Sequence, residues 1–119
     1  MNSRPEQLRD RTKAFALRVI RLFRSLPCKT DTQVLGKQLL RCGTSVAANY
    51  RTVCRARSKA EFIARLGIVA EEADEAVLWL ELLTESEIVR AEMTAGLLKE
   101  ARELAAILTA SQQTAKRTA

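Results

Sequence analysis

Six cations stand where they can act together: Lys37, Arg41, Arg51 and Arg55, continued by Arg57 and Lys59. With Thr44 and Ala48 between them, the first four recur four and three residues apart, which stacks them along one side of a helix. Such a row suits a phosphate backbone, because each contact releases condensed counterions. It also suits a plain solvated helix face. Only Tyr50 stands close enough to stack on a base, which argues against sequence-specific readout of a single strand. A second group is acidic: Glu71, Glu72, Asp74 and Glu75. Carboxylates three and four apart share a helix face and have the donor chemistry for Mg²⁺ or Mn²⁺. A site would need acids from other elements, and the basic segments supply few. Salt bridging or solvation is therefore preferred, and no metal or other cofactor is assigned.

Catalytic chemistry finds little to work with. The chain contains no histidine. That removes Ser-His-Asp and Cys-His catalysis, most zinc sites and the Glu-x-x-His motif of di-iron bundles. The cysteines are Cys28, Cys42 and Cys54, an odd number with no Cys-x-x-Cys pair. On one helix, Cys42 and Cys54 would lie about 18 Å apart, too far for a disulfide. Free thiols of a reducing cytosol are expected. No catalytic residue is assigned.

The elements that must position these groups follow from composition and periodicity. The chain has 119 residues, 47% hydrophobic and 29% charged, which is the size of one domain with one core. Only four Gly and two Pro are present, and no Pro follows Pro27. An all-β fold needs many more turn residues. Four helices are read, at about 4–26, 31–57, 59–84 and 87–112. The first opens with a capping box, Ser3 to Glu6, with Pro5 in its first turn. Its apolar stripe is Leu8, Thr12, Phe15, Val19, Leu22 and Leu26, and Pro27 ends it. Thr30 and Gln33 read as a second capping box, followed by Leu35, Leu39, Cys42, Val46, Asn49 and Val53. Gly43, Ser45, Ala47 and Ala48 thin the middle of this helix, so a neighbour can approach closely. Ser58 and Glu61 form a third box before Phe62, Leu66, Val69, Ala73, Ala76, Leu80 and Leu83. The fourth helix begins at Ser86 or Glu87 and carries Met93, Leu97, Leu98, Ala101, Leu104 and Leu108. Its tail, Gln112 to Ala119, is expected to fray. Short connections make this an all-α, antiparallel up-down four-helix bundle spanning residues 1–119. Asn49, on the core stripe, is expected to bond a facing Glu or a backbone group and set register.

The net charge of +6 is unevenly spread. Residues 1–30 carry +6 and residues 31–60 carry +5, whereas residues 61–88 carry −7. This polarity fits a polyanionic partner or pairing between copies. The outward side of the third helix mixes acids with large apolar residues: Ile68, Glu71, Glu75, Leu78 and Leu82, with Trp79 at the border. Exposed Ile, Leu and Trp on a small domain signal an interface, and the simplest partner is a second copy. The N-terminus has no secretory pattern and no stretch approaches about 20 apolar residues, so a cytoplasmic protein with no membrane role is expected.

Three segments carry a resemblance to a known family. They are Ser45-Val46-Ala47-Ala48-Asn49-Tyr50-Arg51, Arg55-Ala56-Arg57-Ser58-Lys59-Ala60-Glu61-Phe62, and Glu71-Glu72-Ala73-Asp74-Glu75 with Trp79-Leu80-Glu81-Leu82-Leu83. Together they resemble the bacterial four-helix-bundle proteins of the 23S ribosomal RNA intervening-sequence family, over about Phe15 to Leu108. Many members read Asn-x-x-Glu-Gly where this chain has Asn49, Tyr50, Arg51, Thr52 and Val53, which marks a variant branch. The resemblance implies a left-handed bundle, assembly as a homopentameric ring and no catalytic activity. The chain is also similar to the accessory protein of diversity-generating retroelements. That likeness implies nucleic acid and a reverse transcriptase, or another protein, as partners of the basic surface. The expected function is thus a non-enzymatic homo-oligomer that binds RNA or DNA through Lys37, Arg41, Arg51, Arg55, Arg57 and Lys59. The competing expectation is a protein-interaction scaffold, in which acids of one copy neutralise arginines of the next.

Overall fold

The computed structural model describes residues 3–118. Met1, Asn2 and Ala119 lie outside the described residues, so the sequence expectations at those positions do as well. Four helices follow in order: α1 (Arg4–Ser25), α2 (Thr30–Cys54), α3 (Lys59–Glu85) and α4 (Ala91–Arg117). Connections of a few residues join them, and each helix packs along the next. The first and last helices meet along only a short seam. Among the described residues there is no strand.

Local chemistry sets most helix ends. Ser3 Oγ accepts the Glu6 N–H at 3.3 Å and starts α1. Leu26 is extended because Pro27 follows it. At α3, Ser58 Oγ accepts the Glu61 N–H at 3.1 Å, while the Glu61 carboxylate accepts from the Arg57 N–H at 3.4 Å. The expected box at α2 does not form. Lys29 occupies the cap without a side-chain bond, and Gln33 Nε2 reaches back to the Pro27 carbonyl at 3.2 Å. Asp31 Oδ1 accepts the Thr32 N–H instead. α2 also stops at Cys54, short of Arg57, because the Arg55 and Ala56 N–H groups turn back to Thr52 and Val53 and tighten the last turn.

The start of α4 differs most from the sequence expectation. Glu87 adopts φ 64°, the left-handed conformation that ends a helix, and its N–H returns to the Thr84 carbonyl. The helix therefore resumes only at Ala91. The intervening Val89 is buried and closes this end of the bundle. Nor does the tail fray at Gln112, since α4 runs to Arg117. Gln112 Nε2 donates to the Ile63 carbonyl at 3.1 Å, and Lys59 Nζ bonds Thr118 Oγ1 at 2.9 Å, which docks the tail on α3.

The core is one cluster of mostly aliphatic side chains. The α1 stripe from Leu8 to Leu26 is buried throughout, as is the α3 stripe from Leu66 to Leu83. Two expected core residues lie outside it: Phe62 is exposed at the mouth of the bundle, and Met93 is half exposed. Thr94 turns inward in place of Met93, with its hydroxyl 2.7 Å from that of Thr84. Tyr50 is buried beside Asn49. The thin middle of α2 meets α1 closely. A Cβ on Gly43 would lie 2.8 Å from a methyl of Val19.

Candidate nucleic-acid interface

The cations of α2 divide into a paired member and free ones. Arg41 Nη2 bonds Glu75 of α3 at 3.1 Å, which raises the already high Arg41 pKa through that hydrogen bond. No carboxylate of the described residues lies within ion-pair distance of Lys37, Arg51, Arg55, Arg57 or Lys59. All five are exposed. Arg51 lies in the last turn of α2, Arg55 caps its C-terminal end, and Arg57 sits in the turn that leads to α3. Lys37 stands about 27 Å from Arg55 along the helix, a separate outpost of the row. Lys59 is tied to Thr118 at the tail of α4.

Arg55 and Arg57 line one side of a 490 Å³ cleft, with Thr52, Glu61 and Arg65 completing it. Arg65 is missing from the sequence-based set because it lies in the acidic segment. Its signal was the Glu61–Arg65 spacing of four on α3, which forms an ion pair at 2.8 Å. The cleft therefore collects three guanidinium groups around one carboxylate. Three arginines against one carboxylate give its lining an excess of positive charge.

The acids of α3 are largely engaged within the chain. Glu72 Oε1 accepts Asn49 Nδ2 at 2.7 Å, the facing-Glu contact expected for Asn49. Glu75 takes both Arg41 and the Cys42 thiol, the latter at 3.4 Å. Burial, reinforced by that Glu75 contact, pushes the Cys42 thiol up to about 11, with Arg41 and Trp79 opposing the shift. Glu81 pairs with Arg102 of α4 at 3.0 Å. Between α1 and α4, Arg11 holds Glu100 at 2.6 Å and Glu103 at 3.1 Å. The hydrogen bond from Arg11 holds the Glu100 carboxyl below the usual carboxylate range. Glu71 and Asp74 remain exposed, and among the described residues no group of three acids or cysteines is arranged to hold a metal ion.

The expected interface residues share one stripe on α3. Ile68, Leu78 and Leu82 are exposed on it, with Glu71 and Glu75 between them. Trp79 turns partly inward and packs against the core. Among the described residues its buried indole N–H makes no hydrogen bond of good geometry, although the Cys42 thiol lies beside it. The three cysteines are free thiols: Cys28 and Cys54 exposed, Cys42 buried. Among the described residues, no helix is long and apolar enough to cross a membrane.

Comparison with known proteins agrees with this architecture. A crystal structure of a protein of unknown function, from the S23 ribosomal protein family of Bacteroides thetaiotaomicron VPI-5482, superposes with a TM-score of 0.85. It is 32% identical to this chain, and the match covers 93% of this chain and 99% of the other. No curated protein matches. The family described as 23S rRNA-intervening sequence protein matches residues 6–110, nearly the whole bundle. With its four helices, its length and its sequence all in agreement, the chain belongs to the 23S rRNA-intervening sequence protein family.

Proposed function

We propose that this protein is a non-enzymatic homo-oligomer that binds RNA or DNA through backbone phosphates. The carrying observation is the charge pattern at the α2–α3 turn. Arg51, Arg55 and Arg57 face solvent without carboxylate partners among the described residues, beside the cleft that Arg65 completes. A scaffold built on pairing between copies would need free acids on α3. Of the acids that could pair so, Glu75 is already engaged by Arg41 and Glu81 by Arg102, while Glu71, Asp74 and Glu85 remain exposed. The apolar stripe of Ile68, Leu78 and Leu82 supports self-association. A pentameric ring would repeat the arginines around an axis and turn weak contacts into avid ones. The likeness to the accessory protein of diversity-generating retroelements points the same way and adds a reverse transcriptase as a candidate protein partner.

The test is a salt titration of binding to RNA and to duplex DNA. Log affinity is expected to fall linearly with log salt, and the double variant Arg51→Glu, Arg55→Glu should lose about two units of that slope. No binding at low salt, or a slope unchanged in the variant, overturns the proposal. Light scattering reads the subunit number in the same samples.

A further inference from the structure

A second cavity lies at the end of the bundle, under the turn between α2 and α3, and nothing in the charge pattern accounts for it. Its volume is 320 Å³, room for about ten water-sized groups and within the range of small-molecule sites. Leu8, Val53 and Leu66 form an apolar floor, and the exposed ring of Phe62 stands at its mouth. The polar lining residues are Arg4, Tyr50, Cys54 and Ser111. Arg4 brings a cation to the rim, and no carboxylate of the described residues lines the cavity.

Tyr50 is the informative residue. It is only 4% exposed, yet it lines the cavity. The Cys54 thiol and the Arg4 guanidinium act on its phenol, and both are themselves lining residues. The hydroxyl end therefore faces the cavity, with the Cys54 thiol and the Arg4 guanidinium near it and no strong protein partner among the described residues. Buried hydroxyls ordinarily find a strong partner. Burial also pushes the Tyr50 pKa up to about 12, so the group keeps its proton at neutral pH and can donate it in a hydrogen bond.

We propose that this end cavity binds a small apolar carboxylate, with its hydrocarbon on Leu8, Val53, Leu66 and Phe62 and its carboxylate between the Tyr50 hydroxyl and Arg4. An amine would meet a cation and find no acid. A neutral hydrocarbon would leave the phenol unpaired. The site is separate from the arginine cleft and does not depend on nucleic-acid binding.

The experiment compares 4-phenylbutyrate with its neutral amide by nuclear magnetic resonance titration of the whole chain. The acid should shift the Val53, Phe62 and Leu66 amides saturably, with Kd on the order of millimolar for a ligand this small. The neutral amide should bind about fivefold or more weakly, a difference of the size one charged hydrogen bond supplies. Arg4→Gln should remove that preference, and Cys54→Trp, which fills the cavity from an exposed position, should abolish both titrations. Circular dichroism verifies that both variants are folded. No saturable shift with the acid, equal binding of acid and amide, or unchanged binding in Cys54→Trp overturns the proposal.

Discussion

Asn49 on α2 donates its side-chain amide to the Glu72 carboxylate on α3 at 2.7 Å, at the same seam where Arg41 meets Glu75. Both partners are half-buried, so neither is well served by water. Replacing Asn49 with Ala leaves a carboxylate without its donor, at a cost of about 1–3 kcal/mol. Glu72→Gln keeps an acceptor and should cost less. Urea denaturation of the two variants measures the order, and an Asn49→Ala protein as stable as wild type would contradict it.

The close approach of α1 and α2 at Gly43 makes a second case. Gly43→Ala gains helix propensity of about 1 kcal/mol. It also drives a methyl to 2.8 Å and 2.9 Å from the two methyls of Val19, which is fully buried and cannot move away. Overpacking of this kind costs about 1–3 kcal/mol, so the net change should be destabilising. Val19→Ala in the same chain should return part of the loss, a non-additivity that a double-mutant cycle reads directly.

Acid should weaken the α1–α4 seam. Arg11 lowers the folded-state pKa of Glu100 below its unfolded value. The stability this contributes is fully present above the ordinary glutamate pKa of about 4.3, and it is lost as pH falls through the lower folded value. Arg11 shifts upward from a value already beyond the working range and adds no pH dependence there. The stability gap between wild type and Glu100→Gln should therefore be constant near neutral pH and close in acid. A gap that persists at the lowest pH where both fold would refute this.

Cysteine chemistry should separate cleanly. Cys28 and Cys54 are exposed, whereas Cys42 is buried and its thiol is pushed up to about 11. Thiolate is the reactive form. Iodoacetamide at mildly alkaline pH should label Cys28 and Cys54 and spare Cys42 until denaturant is added. Peptide mass spectrometry counts the labelled sites.

Legibility in the sequence followed the type of interaction. Burial periodicity was readable in α1 and α3, where a stripe such as Leu8, Thr12, Phe15 and Val19 has one way to face a core. Ser3 and Ser58 were readable as caps because the contact is local. The start of α4 was not, since a Glu at positive φ carries no signature that Gly would have given. Met93 was preferred over Thr94 for hydrophobicity, but the hydroxyl pair with Thr84 makes the smaller residue the better fit. At the candidate interface, the sequence marked which cations share a face but not which are neutralised. Arg41 and Arg51 belong to the same stripe, and Glu75, which neutralises Arg41, stands on another helix. Arg65 was hidden for the converse reason, since its acidic neighbours in sequence conceal its arginine neighbours in space.

Trp79 gives the seam between α2 and α3 an optical handle. It is the single tryptophan of the chain, with a buried indole N–H and the Cys42 thiol at its side. An indole shielded from water emits at short wavelength, and an adjacent thiol quenches it. Separation of the two helices would hydrate the ring and remove the quencher at once. The emission would then redden and brighten together, so the protein carries its own label-free fluorescent gauge of whether that seam is shut.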